Sequence, residues 1–130
     1  MPLVTGTWTI NANGAEGDLI IVALNPDGSI SGTVFGTAFS GFWNETGQSI
    51  FFESMMPIVI TADGLIVGGV GRAQFTGYLF STQPSPPVGS DIKWTLCGHL
   101  STPATNGLFV AQPNSHRTVF GWFANVTQVV

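Results

Sequence analysis

The sequence predicts an all-β protein: an antiparallel, up-and-down β-barrel of about eight strands, in a single domain over residues 1–130. Three observations predict it. No stretch keeps a helical period over three turns, and short runs rich in Val, Ile, Thr, Phe and Trp alternate instead with Gly, Pro, Asn and Asp. The connections between those runs are mostly of hairpin length, so consecutive strands pair with one another. A meander this long hides its two edges by closing on itself. A two-sheet sandwich is the alternative architecture.

The elements follow in order. "LVTGTWTI" (3–10) is the first strand and ends at "NANG". "GDLIIVAL" (17–24) and "GSISGTVFG" (28–36) flank "NPDG", where Pro26 presets φ and Gly28 accepts a positive one. "AFSGFWN" (38–44) and "QSIFFESMM" (48–56) flank the short loop "ETG". "IVIT" and "LIVGGV" flank "ADG", a further hairpin, and "AQFTGYLFST" (73–82) leads into the Pro-rich loop "QPSPPVGS". "DIKWTLCGHL" (91–100), a loop around "TPATNG", and "RTVFGWFANVTQVV" (117–130) complete the chain.

A small hydroxyl residue, a glycine and then a bulky residue recur in "TGTW" (5–8), "SGTV" (31–34), "SGFW" (40–43) and "TGYL" (76–79). Along a strand the glycine and the last residue of each motif share a face. The glycine therefore makes room beside a large neighbour and permits the tight coiling that closure of a small barrel demands. The motif reads as architecture.

Only 8% of residues are charged against 44% hydrophobic, where about 25% charged is usual. So little surface charge predicts that apolar surface is buried against other copies, in a dimer or tetramer. The net charge of −4, with Arg72, Lys93 and Arg117 scattered along the chain, argues against nucleic acid and against anionic membranes as partners. Cys97 is the only cysteine, so neither an intrachain disulfide nor a Cys-based metal site is expected. The opening "MPLVTGTW" shows no basic-then-apolar leader, which predicts cytoplasmic residence.

The order of these motifs resembles the avidin and streptavidin family, within the wider calycin-type group of barrels that includes the lipocalins. "TGTWTINANG" is similar to that family's first strand, "NPDGSISGTVFG" to its second hairpin, "FSGFW" and "QFTGYLF" to two later strands, and "KWTL" to its W-L-L strand. The resemblance implies a small-molecule-binding barrel, with Asn11 matching a ureido ligand and Trp94 matching a wall of the aromatic box. It also implies that Arg117 lies across Trp8, a structural cation–π contact worth about 0.5–2 kcal/mol. Other positions depart from the pattern. Ala15, Val34 and Gly36 stand where the family has hydroxyl-bearing residues, His116 falls near the tryptophan of the neighbouring subunit, and residues 123–125 offer no carboxylate. A urea carbonyl buried without those donors loses about 1–3 kcal/mol per missing partner. The expected ligand is therefore a small apolar or amphipathic molecule other than biotin.

A barrel of about eight strands holds either side chains only or one small ligand. The candidate lining is Asn11, Val34, Phe52, Phe75, Trp94 and His116. Two readings stay open: a binding module with an open barrel end, or a non-enzymatic assembly protein whose barrel is filled and whose outer face joins copies. Adjacent aromatics such as Phe51 and Phe52 must face opposite sides of a strand, so some rings point outward. A third reading, sugar binding, would need Trp43 and Trp122 together on one wet surface. Cys97, His99, His116, Asp91 and Glu53 could be imagined as a nucleophile–base set, but no catalytic motif fixes them. No enzyme activity, cofactor or metal site is expected.

Overall fold

The computed structural model describes residues 3–62, 65–81, 87–103, 110–111 and 117–129. Nine strands appear among them: β1 (Gly6–Ala12), β2 (Ala15–Leu24), β3 (Ser29–Val34), β4 (Thr37–Asn44), β5 (Ser49–Ala62), β6 (Leu65–Ser81), β7 (Ile92–Pro103), β8 (Val110–Ala111) and β9 (Arg117–Gln128). Around the sheet they run β4–β3–β2–β1–β9–β7–β6–β5, and pairing of β4 with β5 closes the ring. The result is the closed, eight-stranded, all-antiparallel, up-and-down barrel that the sequence predicts. The two-residue β8 stands outside the ring, parallel to β5 through Val59↔Val110 and Ile60↔Ala111.

The hairpin turns carry the chemistry expected of them. Asn13 and Gly14 both take positive φ between β1 and β2, which suits a tight turn whose twist matches its strands. In "NPDG" the Gly28 amide donates to the Asn25 carbonyl at 2.9 Å, and Gly28 has φ of 89°.

Two strands are longer than expected. "QSIFFESMM" and "IVIT" form a single 14-residue strand, and "LIVGGV" runs unbroken into "AQFTGYLFS" as a 17-residue one. Pro57 does not break β5, because the β4–β5 ladder has already ended at Phe39↔Ser54. Beyond that point β5 has no β4 neighbour, and a proline there removes no bond from that ladder. The two long strands stay paired from Ser49↔Tyr78 to Ala62↔Leu65. They therefore project past the end of β4 as a hairpin arm.

The strand-interior glycines do what the recurring motif implied. A Cβ on Gly77 would meet the Cys97 carbonyl oxygen at 2.7 Å and Trp122 Cζ2 at 2.8 Å. One on Gly41 would press into Phe52 and the Phe51 carbonyl. The last residue of every motif is buried: Trp8, Val34, Trp43 and Leu79. Gly6 of "TGTW" is the exception, because no atom comes near its Cβ direction and its φ is +111°. Its role is conformational, at the start of β1, not to make space.

Candidate functional site

Alternation along the strands sends one set of side chains into the barrel, and they fill it at mid-height. Phe52 and Phe75 stack with centroids 4.5 Å apart and planes 8° from parallel. Trp122 meets both edge-on at 5.7 and 5.8 Å, and Phe39 tilts against Phe52 at 4.8 Å. Each tryptophan is buried and its indole N–H is satisfied, as a buried indole requires. Trp8 donates to the Val4 carbonyl, Trp43 to Glu45 Oε2, Trp94 to Gln128 Oε1, and Trp122 is shared between the Thr76 and His99 carbonyls.

The expected lining residues separate on this frame. Val34, Phe52, Phe75 and Trp94 do point inward, but as close-packed core. Asn11 does not join them: Trp8 and Ile10 are the buried positions of β1. Asn11 lies on the other face, opposite Phe123, and its Oδ1 accepts the Gly14 amide of the β1–β2 turn at 3.0 Å. His116 falls outside the described residues. Arg117 sits opposite Pro103, whereas the β1–β9 register places Trp8 level with Val126. The nine residues between Arg117 and that level span about 30 Å of extended strand, and the Arg117 side chain lies outside the described residues. The sugar-binding arrangement is absent too, with Trp43 and Trp122 only 6% and 3% exposed.

The end of the bore nearest the arm is built from smaller side chains. Ser54, paired with Ala73, and Thr102 are both buried there. Ser54 donates to the Ala38 carbonyl at 2.9 Å. Thr102 Oγ1 has no hydrogen-bond partner, a lone case among the described buried side chains, and nothing in the sequence marks it. A recess of about 460 Å³ opens at this rim between Phe39, Ser54, Met55 and the Glu53–Arg72 pair, whose Oε2 and Nε lie 3.9 Å apart.

A second recess of about 460 Å³ lies at the opposite end, between the Asn25–Gly28 turn and Trp43–Glu45. Its carboxylates are engaged locally. Asp27 accepts the Ser29 hydroxyl at 2.7 Å and the Ser29 amide at 2.9 Å, and these bonds hold its pKa below 3.8. Glu45 accepts the Trp43 indole at 2.6 Å. Among the described residues no three His, Cys, Asp or Glu side chains converge. Cys97 and His99 share the outer face of β7, while Glu53 is bonded by Gln74 at 3.4 Å on another strand pair.

The outer wall is the other feature. Phe42, Phe51, Tyr78, Phe80 and Phe123 stand between 38% and 61% exposed. They are neighbours by register: Phe42 pairs Phe51, Phe51 pairs Thr76, Tyr78 pairs Cys97, and Cys97 pairs Phe123. Across β5 to β9 the positions that complete these rows are Ser49, Thr76, Thr95, Cys97, His99, Gly121 and Asn125. None carries Asp, Glu, Lys or Arg.

No protein-family model, no curated protein and no solved structure matches this chain.

Proposed function

We propose that this protein is a non-enzymatic assembly module: a filled β-barrel whose uncharged aromatic outer wall joins it to further copies of itself. The observation that carries the reading is the run of five half-exposed rings on β4, β5, β6 and β9, bridged on β7 by Cys97. At 150–250 Å² per ring, they leave on the order of 500 Å² of aromatic surface in water. That approaches the upper limit of roughly 300–600 Å² for the largest patch on a monomer, before Thr76, Thr95 and Cys97 are added. A standard interface needs about 800 Å² per partner. With a net charge of −4, a wall free of ionised groups is the surface on which two copies repel least. The avidin-like motif order supports this reading only as barrel architecture.

The test is native mass spectrometry with light scattering on the chain and on a Phe51→Lys/Tyr78→Lys variant. Both side chains are outside the core, so the barrel keeps its tryptophan emission. The expected result is an oligomer whose subunit number falls in the variant. A monomeric parent at tens of micromolar, or a variant with unchanged mass, would overturn the proposal.

A second reading is favoured by the orphaned Thr102 hydroxyl. A small amphipathic molecule seated at the arm end, with an acceptor on Thr102 Oγ1 and an apolar body against Phe39, would satisfy a group that otherwise costs about 1–3 kcal/mol. Quenching of tryptophan emission by a panel of such compounds, lost on Thr102→Val, supports it. No response from any compound refutes it.

A further inference from the structure

The hairpin arm has two unlike edges. Past the last β4 pair, Phe39↔Ser54, β5 continues from Met55 to Ala62, opposite Arg72 back to Leu65. Eight residues at about 3.4 Å each make an arm of roughly 25 Å. The β5 edge is protected: Pro57 stands near its root, and β8 covers Val59 and Ile60. Among the described residues the β6 edge has neither device. Its pairing with β7 begins only at Gln74↔Ser101, β7 ends at Pro103, and from Leu65 to Gly71 no described strand lies on that side. Natural edges of this length are blunted by charge, proline, bulge or cover. From Leu65 to Gly71 this one carries no charged residue and no proline.

We infer that the arm is a second interface, at which β6 of one copy pairs antiparallel, edge to edge, with β6 of another. Three arguments select a second copy. An antiparallel pair of identical strands is two-fold symmetric, so a single edge is its own complement. The seven positions from Leu65 to Gly71 carry no charge that would repel their copies. A lipid bilayer is excluded as occupant because each unpaired backbone group on the β6 edge would cost several kcal/mol in hydrocarbon. The interface is independent of the aromatic wall and adds to it.

The experiment compares the chain with a Val67→Lys/Gly69→Lys variant by native mass spectrometry and by hydrogen exchange of the 65–71 segment. Both positions lie outside the closed ring, so exchange within β7 is the internal control for folding. The expected result is a lower subunit number, with the 65–71 amides exchanging at least about tenfold faster while β7 is unchanged. The wall variant Phe51→Lys/Tyr78→Lys lowers the subunit number without exposing 65–71, which separates failure of the arm from failure of the wall. An unchanged subunit number in the arm variant, or rapid exchange of 65–71 in the parent oligomer, overturns the inference.

Discussion

Replacing Gly77 with alanine tests the packing logic of the whole barrel. The added Cβ would sit 2.7 Å from the Cys97 carbonyl oxygen and 2.8 Å from Trp122 Cζ2, where relaxed contacts begin at about 3.5 Å. Something must yield by about 0.7 Å to restore that contact, and neither neighbour can do so freely. The carbonyl belongs to the β6–β7 ladder, which pairs Gly77 with Gly98. The indole is held by two carbonyls, Thr76 and His99, and is flanked by the rings of Phe52 and Phe75. Overpacking a core with no slack costs typically 1–3 kcal/mol, and the double obstruction puts Gly77→Ala at about 2–3 kcal/mol. For a domain of this size that lowers Tm by about 10 °C. Gly121→Ala is the control. Its Cβ would find nothing closer than the Gly98 oxygen at 4.0 Å, and the gain from a stiffer unfolded chain makes it neutral to about 1 kcal/mol stabilising. Urea unfolding followed by tryptophan emission measures both. If Gly77→Ala falls within about 0.5 kcal/mol of the parent, the size of ordinary surface effects, the reasoning is wrong. Equal damage from Gly121→Ala would also refute it.

Other substitutions probe other links. Thr102→Val removes the buried hydroxyl that has no partner, and the ligand-free protein is expected to gain about 1 kcal/mol in the same unfolding assay; a loss would show that the hydroxyl has a partner in solution. Phe52→Ala opens the stack against Phe75 and Trp122 and is expected to cost about 3–5 kcal/mol, read as an early thermal transition. Asp27 contributes through its bonds to the Ser29 hydroxyl and amide, which depress its pKa in the fold. A depressed carboxyl stabilises above its unfolded pKa and loses that contribution as pH falls through the folded one. The stability difference between the parent and Asp27→Ala is therefore expected at neutral pH and closes in acid below pH 3.8. A difference that stays constant across that range would count against the Asp27–Ser29 bonds as its source.

What the sequence determined by itself was local in origin. Alternation in "SISGTV" and "TAFSGFWN" set which side chains face in, and "NPDG" and "NANG" set where the chain reverses. Each depends only on the geometry of an extended chain and on which residues accept positive φ. Short connections then left closure into a barrel as the economical solution, and the structure has that barrel.

Contacts between residues distant in the chain were decided only by the tertiary structure. Whether Phe52 and Phe75 line a hollow or fill it depends on how near strands 5 and 6 bring them to Trp122 on strand 9, a distance no local pattern encodes. Asn11 was legible as a polar residue beside a turn, but the turn itself took its carbonyl. Arg117 and Trp8 lie on neighbouring strands yet are separated by the register, because pairing along β9 sets the level at which two side chains meet. Pro57, which falls between two runs expected as separate strands, is harmless where β4 has already stopped. A chain records which face each side chain takes; which strand stands beside it, and at what height, is decided when the sheet closes.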